Sequence, residues 1–478
     1  MNLRPHSHRA QMVRPLLLSL FLLGCRIAAA TGAPPDTVYL TLQEAIVQAL
    51  EVSPEVAAEQ AGQEFAEARR RLARASRIAP QFTANTAHSV APALDVPADN
   101  TFPDQALYLN PDVRNNFSRP RPFNRIEVEL VQPLWTWGEL GGSIRAARHG
   151  VDVEAAEVSS RRLEVAQRTG ELYFSLLLTE ALVRLAAEAG DVIERAKREI
   201  DRLLEGGAEG VDYADLYQVQ ITEQEYIRRV VEVHRRRTTA RAALQRQLFL
   251  RDDQVAAAAQ PVLSPIDFQR DSLPDYLSLA LVHRPELRQA AAGVAARTAL
   301  LDVARSSYYP KLFLGASMSQ SWAAGRERQP SPYVSDPFMG RSLLAGLAFR
   351  QNLNFLQTRA RVDQAEAERL EVVHQQNATR QLVQFEVEEA YNNLVIAKAA
   401  LQAQDRALAL SKEWLQTESI NFDLDLGDTE NLVDAVRANL DLEAAYFDAV
   451  FQYNRAILRL LRAAGVLDTQ VLSGTLVD

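Results

Sequence analysis

The sequence predicts a mainly helical chain with a membrane β-barrel part, built as a duplicated unit of helix, strand, strand and long helical hairpin. Three observations carry that class. No proline occurs in the 127 residues from Leu134 to Gln260, nor in the 141 from Phe338 to Asp478. Alternating, strand-like segments lie in the proline-containing regions, except the last, Leu343 to Phe349, which opens the second proline-free stretch. The order of motifs in the first half recurs in the second.

The remaining bulk properties narrow the class. With 478 residues, 47% hydrophobic and 24% charged, the chain can bury a large core, which excludes global disorder. A mean hydropathy of −0.17 excludes a bundle of many membrane helices. Only 20 Gly and 21 Pro interrupt it, which favours long regular elements. A net charge of −9 argues against nucleic acid as the main partner. One cysteine excludes an internal disulfide.

Residues 1–30 read as an export signal. Arg4, Arg9 and Arg14 precede the apolar run Leu16 to Leu23, which is shorter than the ~20 residues a bilayer span needs. Two processing outcomes compete. Ala28-Ala29-Ala30 offers a cleavage site before Thr31, whereas Leu22-Leu23-Gly24-Cys25 resembles a lipobox, in which removal of 1–24 leaves Cys25 lipidated. Leu23 stands where that pattern prefers a small residue, and Arg26 follows directly. No later segment reaches 18 uncharged apolar residues, so an exported chain without a membrane helix is expected.

The long elements come next. Proline inside a helix costs ~3 kcal/mol, so the two proline-free stretches are permitted to be very long helices, and Ala, Leu, Glu, Arg and Gln dominate them. Leu172, Leu176, Thr179 and Val183 recur at helical spacing, Leu382, Phe385, Glu389 and Leu394 less cleanly. In the last helix Leu440, Ala444, Phe447, Phe451, Asn454, Leu458 and Leu461 form a stripe. Gly206-Gly207-Ala208-Glu209-Gly210 and Asp423-Leu424-Asp425-Leu426-Gly427-Asp428 break the stretches and read as hairpin turns. Gly138 to Glu205, 68 residues, spans about 100 Å if helical. The preceding Gly138-Glu139-Leu140-Gly141-Gly142 lacks the Lys and Ser/Thr of a P-loop and reads as a strand-to-helix bend.

Four segments of about ten residues alternate as strands do. They are Gln81 to Ser89, Arg125 to Leu134, the segment of Leu312, Leu314, Ala316 and Met318, and that of Leu343, Ala345, Leu347 and Phe349. Polar loops, Pro92 to Pro122 and Trp322 to Pro337, join each pair. Trp135, Trp137, Tyr308, Tyr309, Trp322 and Tyr333 lie near strand ends, as in the aromatic girdle of a membrane barrel or as the edge aromatics of a small soluble sheet.

The duplication is ordered. Val52-Ser53-Pro54-Glu55-Val56 recurs as His283-Arg284-Pro285-Glu286-Leu287, Ile78-Ala79-Pro80 as Tyr308-Tyr309-Pro310, Val131-Gln132-Pro133-Leu134 as Arg350-Gln351-Asn352-Leu353, and Gly210 as Gly427. The repeats run 37–260 and 261–470. Two strands per repeat make four per chain, which cannot close a membrane barrel of at least about eight. Open edges in lipid cost several kcal/mol per unpaired group. The chain must therefore oligomerise. Two copies give eight strands and a filled interior, three give twelve and a passage.

At this point the chain resembles the TolC-like outer membrane efflux proteins. The residues carrying the resemblance are Leu40 to Ile46 through Ser53-Pro54-Glu55, Ala79-Pro80-Gln81, Val131 to Leu134, and Tyr446 through Gly465. The resemblance implies a homotrimer with a 12-strand outer membrane barrel and an α-helical periplasmic tunnel. It implies a passive channel of a tripartite efflux or type I secretion system, which passes small molecules or proteins from a periplasmic adaptor and an inner membrane pump to the outside. Gly210, Val211, Asp212, Gly427, Asp428 and Thr429 match the adaptor-docking tips. Asp434 matches the first of two acidic gate residues, and Arg437 stands where the second would be. A gate held by Asp434–Arg437 pairs, within or between chains, is expected, with an ordinary surface pair as the alternative. Asn352 and the Gly-Gly-Ala-Glu-Gly tip depart from the family pattern.

Chemistry is sparse. Seven histidines are scattered without metal-ligand spacing, and no nucleophile motif occurs, so neither enzyme, metal site nor cofactor is expected. Arg69-Arg70-Arg71, Arg235-Arg236-Arg237 and Glu388-Glu389 read as helix surface charges. The competing reading is a structural coiled-coil protein of the cell envelope without a pore.

Overall fold

The computed structural model describes residues 36–96, 113–206, 213–327, 335–424 and 429–472. In chain order the first repeat runs β1 (Asp36–Leu40), α1 (Leu42–Val52), α2 (Pro54–Ile78), β2 (Gln81–Asp95), β3 (Arg114–Trp135), α3 (Glu139–Glu205) and α4 (Tyr213–Gln247). The chain continues through β4 (Gln254–Ala258), α5 (Leu273–His283), α6 (Pro285–Ser306), β5 (Lys311–Ala323), β6 (Gly340–Arg350), α7 (Phe355–Asp423), α8 (Thr429–Ala463) and α9 (Leu467–Leu472). The duplicated order of helix, strand pair and long hairpin is present as expected.

The repeat extends to backbone angles. Ser53 ends α1 and caps α2 at φ −64°, ψ 117°, and Arg284 does the same between α5 and α6 at φ −61°, ψ 120°. Pro54 and Pro285 follow at the first helical position, where a missing N–H breaks no helical bond. Thr41 starts α1 in a capping box with Glu44.

Among the described residues the long strands form one antiparallel sheet in the order β2–β3–β5–β6. β2 and β3, at 15 and 22 residues, exceed the expected ten and run into the segment read as a loop. The reason lies in the edges. Pairing of β3 with β5 begins at Phe123, so Pro120 sits where β3 has β2 as its strand neighbour, opposite Pro92 of the edge strand, while Pro122 is bonded through its carbonyl to the Ala324 amide at 2.9 Å. A proline there costs no ladder bond on its open side. Tyr333 lies outside the described residues.

Helices of 67 and 69 residues leave the sheet as α3 and α7. Next to the sheet the helices lie in the order α2–α3–α6–α7, and towards the hairpin tips in the order α4–α3–α8–α7. Glycines allow the close approaches: a Cβ on Gly142 would stand 3.0 Å from the Ala299 carbonyl oxygen of α6. The core sits midway, where Ile46 of α1, Leu176 and Leu177 of α3, and Leu458 and Leu461 of α8 are buried together. In α7 the buried stripe is Val383, Val387 and Leu394, while Leu382 and Phe385 face outward. The apolar positions read at uneven spacing thus belong to two faces.

Three sets of contacts hold this middle region together. β1 pairs in parallel with β4, which periodicity over five residues did not reveal. The buried Asn454 accepts from the Ile266 amide at 2.9 Å and donates to the Ser264 carbonyl at 2.9 Å, so a residue read as part of an apolar stripe is a polar clamp. The buried Arg284 donates to Glu386, Glu286 and the Ala463 carbonyl.

Gly465 follows α8 at φ +76°, and a Cβ there would meet the Arg284 nitrogen at 2.9 Å. Gly465→Ala is expected to lower stability by about 2 kcal/mol or more, from the left-handed conformation and a backbone clash together. The thermal midpoint by circular dichroism checks it. Glu171 makes the pH case. Burial pushes its carboxyl up, but the hydrogen bond from Gln167 and the guanidiniums of Arg459 and Arg455 outweigh this and hold it below the ordinary range. A depressed folded-state pKa stabilises above the unfolded value of ~4.3 and loses that stabilisation as pH falls further. Glu171→Gln should therefore destabilise at pH 7, with the difference from the parent shrinking as pH falls below ~4.3, read from melts at several pH values.

Candidate functional site

Each of the three levels of the chain ends in free edges. The sheet ends in β2 and β6, the upper helix layer in α2 and α7, and the lower layer in α4 and α7. One flank therefore belongs to the first repeat and the other to the second at every level. Both flanks expose large apolar side chains: Phe82 and Val90 on β2, Phe65 and Leu72 on α2, Tyr217 and Ile221 on α4, against Leu347 on β6 and Leu356 and Phe385 on α7. Leu356 is 86% exposed. Contiguous exposed apolar surfaces of this kind mark sites of association.

The junction between strands and helices is rigid. Trp137 and Gly138 adopt φ 53° and 92°, a reversal that turns β3 into α3 and confirms the Gly138 bend. Trp137 stacks on Tyr309 with centroids 5.0 Å apart, packs edge-on against Trp135, and donates from Nε1 to the Pro310 carbonyl at 2.6 Å. Lys311 pairs with Glu139 at 2.5 Å. The turn leaving the first repeat's strands is thereby clamped to the turn entering the second's. Trp135, Trp137 and Tyr309 thus gather in one belt at the sheet's inner end, while Trp322 pairs with Asn124 near its far end.

At the tips, Gly210, Val211, Asp212, Gly427 and Asp428 lie outside the described residues, and Thr429 begins α8. Asp434 and Arg437 stand exposed on α8. Within the chain Arg437 pairs with Glu225 of α4 at 2.9 Å rather than with Asp434. One turn on, Arg229 of α4 pairs with Asp441 of α8 at 2.7 Å, and that hydrogen bond raises the Arg229 guanidinium further above its ordinary range. Both pairs are 212 residues apart in sequence. A constant difference is what two parallel helices produce, since both rise from their tips. The expected intra-chain Asp434–Arg437 contact is thus replaced because α4 presents a nearer carboxylate. Glu225, Arg229 and Asp441 went unread in the sequence, because their partnership depends on helix register.

The Glu225–Arg437 pair is about half exposed on both sides. A double-mutant cycle over Glu225→Gln and Arg437→Gln should give a coupling of ~0.2–1 kcal/mol that vanishes in 1 M salt. Hydrogen exchange of α4 and α8 amides measures it.

The family model for outer membrane efflux protein matches residues 276–466. Protein CyaE of Bordetella pertussis is 25% identical over 356 residues, covering 73% of this chain and 72% of that protein. The crystal structure of a membrane protein from Pseudomonas aeruginosa superposes with TM-score 0.71 at 20% identity, covering 89% of this chain and 90% of the other. CusC, described as forming a transmembrane channel, superposes with TM-score 0.71 at 17% identity over 90% and 92%. These likenesses extend the fold to almost the whole length.

Proposed function

We propose that this chain, a TolC-like outer membrane efflux protein by fold and by its domain at 276–466, is the passive outer membrane duct of a tripartite export machine. One observation supports the reading most. Strands and helices share the same two open flanks, so a single ring operation closes the sheet and both helical layers at once. Three copies give twelve strands and a lumen. Helices of about 70 residues carry the tube roughly 100 Å from the barrel.

The protein conducts and does not catalyse; energy enters through an inner membrane pump and a periplasmic adaptor. Residues 1–30 are removed on export, or 1–24 with lipidation of Cys25. Repeats 37–260 and 261–470 each supply two strands and one hairpin. Gly210, Val211, Asp212, Gly427, Asp428 and Thr429 form the adaptor-facing tips. Asp434 and Arg437 form rings at the periplasmic gate, with Arg437 drawn towards Glu225 in the resting chain.

Two measurements test this. Light scattering in detergent should give three protomers, and bilayers should show conductance; a stable monomer that conducts nothing leaves the coiled-coil alternative. In that assay Arg437→Ala should raise cation selectivity and open probability together. Replacing Gly210 and Gly427 by Trp should abolish export while trimer and membrane level stay unchanged.

A further inference from the structure

Near the tips the two hairpins do not close on each other. α3 and α4 on one side, and α7 and α8 on the other, surround a cavity of about 980 Å3. Helix packing leaves few voids larger than a water, while pockets for small organic ligands run to about 300–1,000 Å3. The walls are apolar and come from both hairpins: Leu185, Ala189 and Ile200 from α3, Val219 from α4, Val436 and Leu440 from α8. The first four are almost wholly buried, so these side chains already face one another across the space.

The charged groups lining the cavity divide by sign. Each acid is engaged: Glu225 by Arg437, Asp441 by Arg229, and Glu199 by Arg202. Two cations are not. Arg195 donates from Nε to the Asp191 carbonyl of its own helix, and among the described residues neither its terminal nitrogens nor the Lys412 ammonium reaches a carboxylate. An apolar chamber whose acids are neutralised and whose border keeps two uncommitted positive charges suits one ligand class.

We propose that this cavity binds a drug-sized amphipathic organic anion, its apolar body between the hairpins and its carboxylate or sulfonate at the border where Arg195 and Lys412 stand. Neutral molecules would gain the apolar contacts alone. Amphipathic cations would meet the wrong sign. The site lies within one chain, between its own four helices, and shares Arg437 and Glu225 of its wall with the proposed gate, while Arg195 and Lys412 belong to the cavity alone. A molecule seated there touches both hairpins and ties their spacing to occupancy.

Photo-crosslinking of the full-length protein in amphipol tests this, with an aryl carboxylate carrying a diazirine and its methyl ester as the neutral twin. The acid should label peptides containing Ile200, Val219 and Val436 saturably, with the ester at least about tenfold weaker, the worth of a charge-assisted hydrogen bond. Arg195→Glu with Lys412→Glu should bring the acid down to the ester's level and leave the ester unchanged. Ala189→Trp, which fills the chamber, should remove both. If that variant does not assemble, the smaller Ala196→Met in the same wall replaces it. Equal labelling by acid and ester, labelling confined to the strands, or labelling undiminished by the filled chamber overturns the proposal.

Discussion

A β-sheet in lipid has no water to satisfy its edges, and each unpaired backbone group there costs several kcal/mol. Among the described residues this chain presents two such edges, β2 and β6, at the ends of its four-stranded sheet. The rest of the architecture follows from that demand. On the proposed reading copies of the chain complete the sheet, which requires every layer below to be open on the same flanks and at compatible angles. The exposed Phe65 and Leu72 of α2, and Leu356 of α7, are the helical part of the same surface. Exposed patches of this size are an aggregation hazard in a monomer, and the proposed ring would bury them.

Aligning sheet and helices across two repeats requires stiff joints, and the chain places its polar investment there. The Trp137 stack and the Lys311–Glu139 pair fix the turns at the sheet. Asn454, Arg284 and the β1–β4 pairing fix the middle. A buried guanidinium is not a gain in itself, since leaving water offsets most of its attraction to Glu386 and Glu286. Its value is geometric, because only one arrangement of α5, α7 and α8 satisfies all its donors. Arg326 repeats the device at the far end of the sheet, where it is buried against Asp336 and Asn115.

Packing loosens towards the tips. Midway, Leu176, Leu458 and Leu461 interlock, and Gly170 lets α8 approach so closely that an added Cβ would strike Leu458. Between the hairpins, by contrast, large side chains surround a chamber and the cross-links are half-exposed ion pairs. Such pairs are weak and exchange easily with water. A tightly packed middle and loosely joined tips suit the proposed duct, which has to stay sealed along its length and change at one end.

The helices, the four strands and the duplication were legible because each rests on a local rule. Proline is absent where a helix needs every N–H, side chains alternate where a sheet has two faces, and Ser53-Pro54 and Arg284-Pro285 impose the same angles wherever they occur. The strand-to-helix bend at Gly138 was readable for the same reason. What the residues could not disclose were relations between elements distant in sequence. Strands of five residues are too short to carry a period, so β1 and β4 went unread. Asn454 looked like one more stripe position until the Ile266 and Ser264 backbone came into reach. Asp434 and Arg437 sit three apart on one helix, which made them a plausible pair, yet Arg437 turns to Glu225 of a parallel helix 212 residues away. Such a partnership depends on the register between two hairpins, which tertiary packing alone decides. The chamber beside it is likewise a shape left by four helices, and no single helix encodes it.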